Sequence, residues 1–276
     1  MYGNSCAFEL FTGGEVEKRY FIANITDAVA RRNAALGFLL KKNAILNVTQ
    51  VTTISIFHFR GWKNKFRALS QMGLAPARMR NAPGLRFFKL LGSGGANGFS
   101  IRPNFGTYAL LGVWDAEADA DRFFQKHPAF QHYRSLAASW QTIYMRNTAA
   151  HGAWDGQNPF QTADAFDPTE PVAVITRATI RRRHLWRFWR FVPSVSRDVE
   201  NRPGLRLAIG IGELPLLQQA TFSLWDSGRQ MLDYAYRRPE HSAMVRKTRE
   251  LGWYKEELFA RFKPYRMENF GLQHAD

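Results

Sequence analysis

Asn81-Ala82-Pro83-Gly84-Leu85-Arg86 and Asn201-Arg202-Pro203-Gly204-Leu205-Arg206 write the same turn twice, at an offset of 120 residues. Proline fixes φ and glycine tolerates φ > 0 without steric cost, so the pair ends one element and redirects the chain into the next. Outward from this turn the recurrence continues. Trp114-Asp115 returns as Trp225-Asp226, and His127-Pro128 as Arg238-Pro239, both at an offset of 111. The difference of nine residues matches the stretch GSGGANGFS at 92–100, which the second copy lacks. One insertion accounts for the change of register, and three matches in the same order mark an internal duplication.

Each copy reads alike. A strand comes first, VTTISIFHF from Val51 and PVAVITRATI from Pro171. A helix follows, over 62–72 and over 183–192. After the Pro-Gly turn come GLRFFKLLG or GLRLAIGIG, then a hairpin partner, TYALLGVWD or QATFSLWD. The next helical stretch is interrupted at Pro128 or Pro239, where a new helix starts because proline suits the first helical position. QTIYMRN and ELFARFKPYR close the copies. The order β-α-β-β-α-β is the ferredoxin-like unit, whose sheet carries helices on one face only. Two units in one chain can bury their free faces against each other. The expected fold is therefore α+β, a tandem ferredoxin-like repeat of the dimeric α/β-barrel type with two antiparallel sheets facing each other. The expected domains are an N-terminal extension at 1–48 with a helix over 27–42, a first unit at 49–148, a linker at 149–169, a second unit at 170–268, and a tail at 269–276.

Composition narrows the function. A chain of 276 residues with 45% apolar content can build two real cores. Eight Trp and 22 Phe exceed ordinary packing needs; aromatic cores are the commoner cause, and a pocket for a large apolar ligand is the other. Cys6 is the only cysteine, which excludes an intrachain disulfide and fits a reducing cytoplasm. No secretory pattern opens the chain, and no apolar run approaches the roughly 20 residues that span a bilayer. The expected location is the cytoplasm, with peripheral attachment at the inner face of the cytoplasmic membrane left open. A formal charge of +15 attracts polyanions. Zinc-finger spacing, RNA-binding signatures and basic heptads are absent, which ranks nucleic acid last. In the densest basic stretch, Leu185, Trp186, Phe188, Trp189 and Val192 interleave with Arg181, Arg182, Arg183, Arg187 and Arg190. This is an amphipathic helix, either an ordinary surface helix or one that lies on an anionic membrane.

Phosphate loops, HExxH and GxSxG are missing. Residues 92–98 are glycine-rich but lie between hairpin strands, so they read as a flexible loop or a mobile lid. None of the seven histidines forms an i, i+4 pair, which disfavours a multi-histidine metal centre. One histidine is enough for a haem iron. With Pro239 as first helical position, His241 falls in the first turn, where the helix dipole favours neutral imidazole, the metal-binding form. Met244, Val245 and Thr248 share its stripe, opposite Arg246, Lys247, Arg249 and Glu250. A buried core histidine is the competing reading. His132 is the runner-up, on a stripe with Ala129, Leu136 and Trp140; its second-copy counterpart is Ala243. Arg177 interrupts an apolar strand at the place of Phe57 in the first copy. An arginine on an inner sheet face needs an anion. A haem propionate would supply one and make Arg177 a cofactor-binding group, and a place beside iron-bound oxygen would make it catalytic; a strand-end arginine reaching water is the alternative.

The blocks now quoted resemble the spheroidene monooxygenase family. In copy one the run is SQMGLAPARMRNAPGLRFFKLLGS at 70–93. In copy two the runs are Thr176-Arg177-Ala178-Thr179-Ile180, Leu185-Trp186-Arg187-Phe188-Trp189, Gly210-Ile211-Gly212-Glu213-Leu214-Pro215 and Thr221-Phe222-Ser223-Leu224-Trp225. A last block reaches from His241 through Trp253-Tyr254-Lys255-Glu256-Glu257-Leu258-Phe259-Ala260-Arg261-Phe262. The resemblance implies haem b, dioxygen as co-substrate and an external electron donor such as a ferredoxin, used to hydroxylate and ketolate an acyclic carotenoid at C-2. It implies His241 as proximal ligand, as in chlorite dismutase and aldoxime dehydratase, where a helix histidine of one ferredoxin-like copy holds the haem. Phe57, Phe59, Trp186, Trp189 and Phe222 are then candidate walls for the polyene, or else core. Other haem chemistry on this scaffold, such as dehydration or peroxidation, and a non-enzymatic haem- or lipid-binding protein are the alternatives. Residues 1–48 have no recognised counterpart.

Overall fold

The computed structural model describes residues 49–95, 103–187, 189, 202–214, 216–236 and 251–271. The extension 1–48 with its expected helix lies outside them, as do Arg190, Pro239, His241, Met244 and Val245. The first half runs β1 (Val51–His58), α1 (Trp62–Met79), β2 (Leu85–Gly94), β3 (Pro103–Trp114), α2 (Glu117–Lys126), α3 (Pro128–Leu136) and β4 (Ser139–Gly152). The second runs β5 (Val172–Ile180), a 3-10 turn (Arg182–His184), β6 (Leu205–Gly212), β7 (Gln218–Trp225), α4 (Gly228–Tyr236) and β8 (Tyr254–Phe270).

These strands close into one antiparallel barrel in the order β1-β3-β2-β6-β7-β5-β8-β4. Each half contributes four neighbours in matching order, β4-β1-β3-β2 and β8-β5-β7-β6. The expected pair of facing sheets is thus one continuous sheet, joined at both edges, because closure leaves no unpaired strand edge. The two joins differ. β4 pairs with β8 from Trp140↔Phe270 to Gly152↔Leu258, whereas β2 meets β6 only at Gly92↔Gly212 and Ser93↔Ile211. Alternate side chains of every strand fill the interior, Ile54, Leu111, Ile143, Ile175, Phe222 and Phe262 among them.

The two Pro-Gly turns agree contact by contact. Gly84 and Gly204 take φ of 73° and 81°. The amide of Asp115 donates to Gly84 O at 2.8 Å, and that of Asp226 to Gly204 O at 2.7 Å. Arg86 pairs with Asp115, and Arg206 with Asp226. α3 starts at Pro128 as expected; His127 caps it, its Nδ1 accepting from the Ala129 amide at 3.3 Å.

Four expectations are corrected. α1 continues to Met79 with Pro76 inside it. The glycine-rich stretch begins as strand, since Gly92–Gly94 belong to β2 and close the barrel. The supposed linker is largely packed: β4 runs through Gly152, and Trp154-Asp155-Gly156-Gln157 forms a tight turn with φ of 55° and 79° at its centre. Two positive φ values at an Asp-Gly pair are the type I′ geometry. This turn drives Trp154 into the barrel interior, where Phe160 joins it. Lastly, β8 extends past 268 to Phe270.

Candidate functional site

Ladder registers fix which residues of the two halves correspond. Val51↔Trp114 in the first matches Val172↔Trp225 in the second. Arg177 therefore corresponds to Ile56, and Ala178 to Phe57, a shift of one from the sequence alignment.

The outward faces of the two half-sheets then differ in a consistent way. In the first half, Phe57, Tyr108, Leu110 and Trp140 are buried beneath the helices, with Phe88 and Leu90 packed against them. Phe130 of α3 lies over Phe57 with ring centroids 5.7 Å apart. The gap left among Phe57, Leu90, Leu110, Phe130 and Tyr133 is about 10 Å³, too small for anything beyond one water. In the second half the corresponding outward positions are Ala178 for Phe57, Ala208 for Phe88, Gly210 for Leu90, Thr221 for Leu110, Gln219 for Tyr108 and Glu257 for Trp140. Every large side chain is replaced by a smaller or polar one. Truncations of this kind cost about 2–5 kcal/mol each when nothing refills the space. Val172, Val174, Trp225 and Met231 still pack at the far end of that face. The second half thus keeps an anchored layer at one end and a flat bed of small residues at the other. A broad, flat, apolar group fits such a bed. The sequence counterpart of Phe130, at the offset of 111, is His241.

Arg177 is not on this bed. It points into the barrel, where its side chain is 1% exposed and ion-paired with Glu256 of β8. Asp155 and Glu213 approach the same guanidinium at 3.6 and 3.7 Å. Lys89 of β2 pairs with Asp155 and Glu213, and the Trp154 indole donates to Glu213 at 2.6 Å. The anion that an inward arginine requires is supplied here by carboxylates of the chain itself, and the alternative of a strand-end arginine reaching water is corrected by its burial. Partial burial works to raise the Glu256 carboxyl pKa. The Gly156 amide, the Arg177 guanidinium and the Asp155 amide outweigh it and hold the group below its ordinary value. Lys89 and the charges around Arg177 clasp β2, β5, β8 and the 154–157 turn beside the weak β2–β6 join.

The remaining candidates scatter. Phe57 and Phe59 are core beneath the helices of the first half, and Phe222 is core inside the barrel. Trp186 is 79% exposed. Trp189 donates to Leu216 O at 3.1 Å and lines a groove across the β2–β6 join. His132 is exposed on α3, turned away from the stripe expected for it, because the α3 positions that reach the core are Ala129, Phe130 and Tyr133. Among the described residues no cluster of His, Cys, Asp or Glu could hold a metal ion.

The chain is 37% identical over 215 residues to the spheroidene monooxygenase of Rhodobacter capsulatus, covering 77% of this chain and 89% of that protein. It is 38% identical over 186 residues to the spheroidene monooxygenase of Rubrivivax gelatinosus, covering 67% and 71%. With that of Cereibacter sphaeroides it shares 34% over 215 residues, or 78% of this chain and 66% of the relative. No protein-family model matches. An aldoxime dehydratase structure, 12% identical, superposes with a TM-score of 0.56 over 82% of this chain and 86% of that one. Another, in complex with butyraldoxime, is 14% identical with a TM-score of 0.51 over 82% and 84%. Both likenesses are of fold.

Proposed function

Since this chain belongs to the spheroidene monooxygenase family and is thereby an oxidoreductase, we propose that it is a haem-dependent monooxygenase that hydroxylates and ketolates an acyclic, spheroidene-like carotenoid at C-2 with dioxygen. The observation that carries the haem is the exchange of Phe57, Phe88, Leu90 and Leu110 for Ala178, Ala208, Gly210 and Thr221 on otherwise matching half-sheets. This removes the thickness of a side-chain layer where His241 replaces Phe130 in the repeat. His241 would hold the iron, and Met244 and Val245 would wall the group from the same stripe. When bound, the haem supplies the oxidising power for an unactivated C–H bond that no amino-acid side chain has. The chain's own task is to bind, orient and exclude water. Two successive hydroxylations at one carbon give a geminal diol, which loses water to the ketone. Each hydroxylation consumes one dioxygen and two electrons, so an external donor such as a ferredoxin is required.

A polyene partitions into membranes, and the basic face of Arg181, Arg183, Arg187 and Arg190 suits an anionic surface at the cytoplasmic side. Trp62, Phe66 and Trp186 are exposed apolar neighbours of basic residues in the chain, and the sequence holds no acidic residue between Asp27 and Asp115 or between Glu170 and Asp198. No helix among the described residues is long and apolar enough to cross a membrane.

The test is the absorption spectrum of protein expressed with ample haem, followed by product analysis with spheroidene. The expected result is a Soret band that His241→Ala abolishes and His132→Ala leaves intact, with ketone formed only where the band persists. Wild-type spectrum and turnover in His241→Ala would remove His241 as ligand.

A further inference from the structure

The β2–β6 join opens outward into a groove of about 220 Å³. Its floor is bare backbone, because Gly92 and Gly212 pair there and neither carries a side chain. Leu69 and Met72 of α1, Phe105 of β3 and Trp189 line it with apolar side chains. Asn104, Glu213 and Gln219 are polar groups in its lining. Leu69 and Phe105 remain 42% and 49% exposed. Large apolar side chains gathered along a channel in this way mark a binding surface.

Two further observations specify the occupant. Tyr108 lines the groove and is 3% exposed, yet its hydroxyl has no hydrogen-bond partner among the described residues. A buried hydroxyl without a partner is expensive, so it calls for an acceptor from beyond the described residues, a role a bound molecule can fill. Burial raises its pKa, which keeps it a proton donor. Second, Gly212 and Gln219 are paired and head the outward rows Gly212-Gly210-Ala208 and Gln219-Thr221-Ser223. Those rows are the bed of small residues described above. An extended molecule lying in the groove would have one end on that bed.

We propose that this groove binds one end segment of the polyene of an acyclic carotenoid, with the Tyr108 hydroxyl donating to a hydroxyl or ether oxygen of that molecule. The proposal rests on the carotenoid monooxygenase reading. It assigns the substrate's hold to residues of both halves, while the oxidising group belongs to the second. Leu69, Phe105 and Tyr108 are the determinants.

The experiment uses the full chain and spheroidene delivered from detergent micelles. Binding is read as quenching of tryptophan fluorescence, for which Trp189 is the nearest reporter, and as circular dichroism induced in the polyene's visible band. Leu69→Asp and Phe105→Asp place a charge against the polyene and should weaken binding at least tenfold. Tyr108→Phe removes one hydrogen bond and should weaken it by about three- to tenfold. Leu74→Asp, exposed on the same helix and outside the groove, should bind as wild type. Melting curves establish that each variant is folded, and Phe105→Asp and Tyr108→Phe stand independently if a change in α1 is not tolerated. Wild-type affinity in folded Leu69→Asp and Phe105→Asp would overturn the proposal. So would equal competition by a saturated fatty acid, which would make the groove a general lipid site. Product formation in the same samples separates the two readings. Ketone formed by wild type and by groove variants of unchanged affinity leaves the enzyme reading standing without the groove. Binding that the variants abolish, with no oxidised product from wild type, leaves the groove standing without the enzyme reading.

Discussion

Replacing Glu256 by Gln keeps the size of the side chain and its acceptor for the Gly156 amide at 2.7 Å, but strands the charge of Arg177. That arginine is 1% exposed, and Glu256 is 21% exposed. Breaking a buried ion pair costs about 3–5 kcal/mol because one charge is left uncompensated. Two features soften this here: Asp155 and Glu213 lie 3.6 and 3.7 Å from the same guanidinium, and Glu256 keeps some solvent. The expected loss is about 2–3 kcal/mol. At roughly 2–4 °C per kcal/mol for a domain of this size, the melting temperature should fall by about 4–12 °C. The double variant Arg177→Met/Glu256→Gln removes the stranded charge and should recover more than half of the loss. The sign of the pH dependence follows from the depressed Glu256 pKa. Its stabilising contribution is complete above the ordinary value of 4.5 and is lost as pH falls through the lower, folded value. Below about pH 4.5, wild type should therefore lose stability more steeply than Glu256→Gln. Urea or thermal melts of the three proteins from pH 3 to 7 decide it. A loss under about 0.5 kcal/mol, or no recovery in the double variant, would refute the clasp and return Arg177 to consideration at the site.

Refilling the bed with the first half's residues, Ala178→Phe with Thr221→Leu, should abolish the Soret band while the melting temperature of haem-free protein holds or rises; an undiminished band would place the haem elsewhere. Trp154→Ala empties the barrel interior and orphans one contact of Glu213, so a loss of about 3–5 kcal/mol is expected by denaturant titration. Reversing Arg181, Arg183 and Arg187 to Glu should weaken binding to anionic vesicles at least a hundredfold at low salt, at about 1 kcal/mol per basic residue. Added salt should erase the difference, since charges are screened beyond about 8 Å at physiological ionic strength.

The strands and the two turns were legible because their signals are local: period-two apolar alternation and a Pro-Gly pair whose glycine needs φ near 73° or 81°. Closure of the barrel was not. β4 and β8 pair along their lengths, but nothing within either strand names the other as its neighbour. The 149–169 segment read as a linker because it is rich in Gly, Pro, Asp and Thr. Asp155-Gly156 was nevertheless a hairpin signal, and it would have carried Trp154 inward with it. Arg177 was legible as an oddity on an inner face. Its partner was not, since Glu256 lies 79 residues away in sequence. The bed of small residues was present in the aligned copies but hidden by a single shift. With Phe57 set against Arg177, the exchange of Phe57 for Ala178 could not be seen.

The division of labour between the halves follows from how the barrel is held. Its interior cluster draws on strands of both halves, with Phe222 and Phe262 beside Ile54 and Ile143. The long β4–β8 ladder ties the second half to the first. The second half-sheet is therefore fixed from its inner face, while its outer layer carries small residues at one end. The first half instead fills that layer with Phe57, Phe123, Phe124, Phe130 and Tyr133, whose rings meet at 4.6 to 6.0 Å. An outer layer can be emptied at tolerable cost only where the sheet beneath is secured from its other face, and the second half meets that condition. The row Ala178, Ala208, Gly210, Thr221 and Ser223 carries no charge, with Glu257 beside it on β8, while the ion-paired cluster lies on the opposite side of the same strands. A row of small uncharged residues suits the oxidation of a hydrocarbon, in which no substrate charge has to be neutralised and the chain's contribution is position.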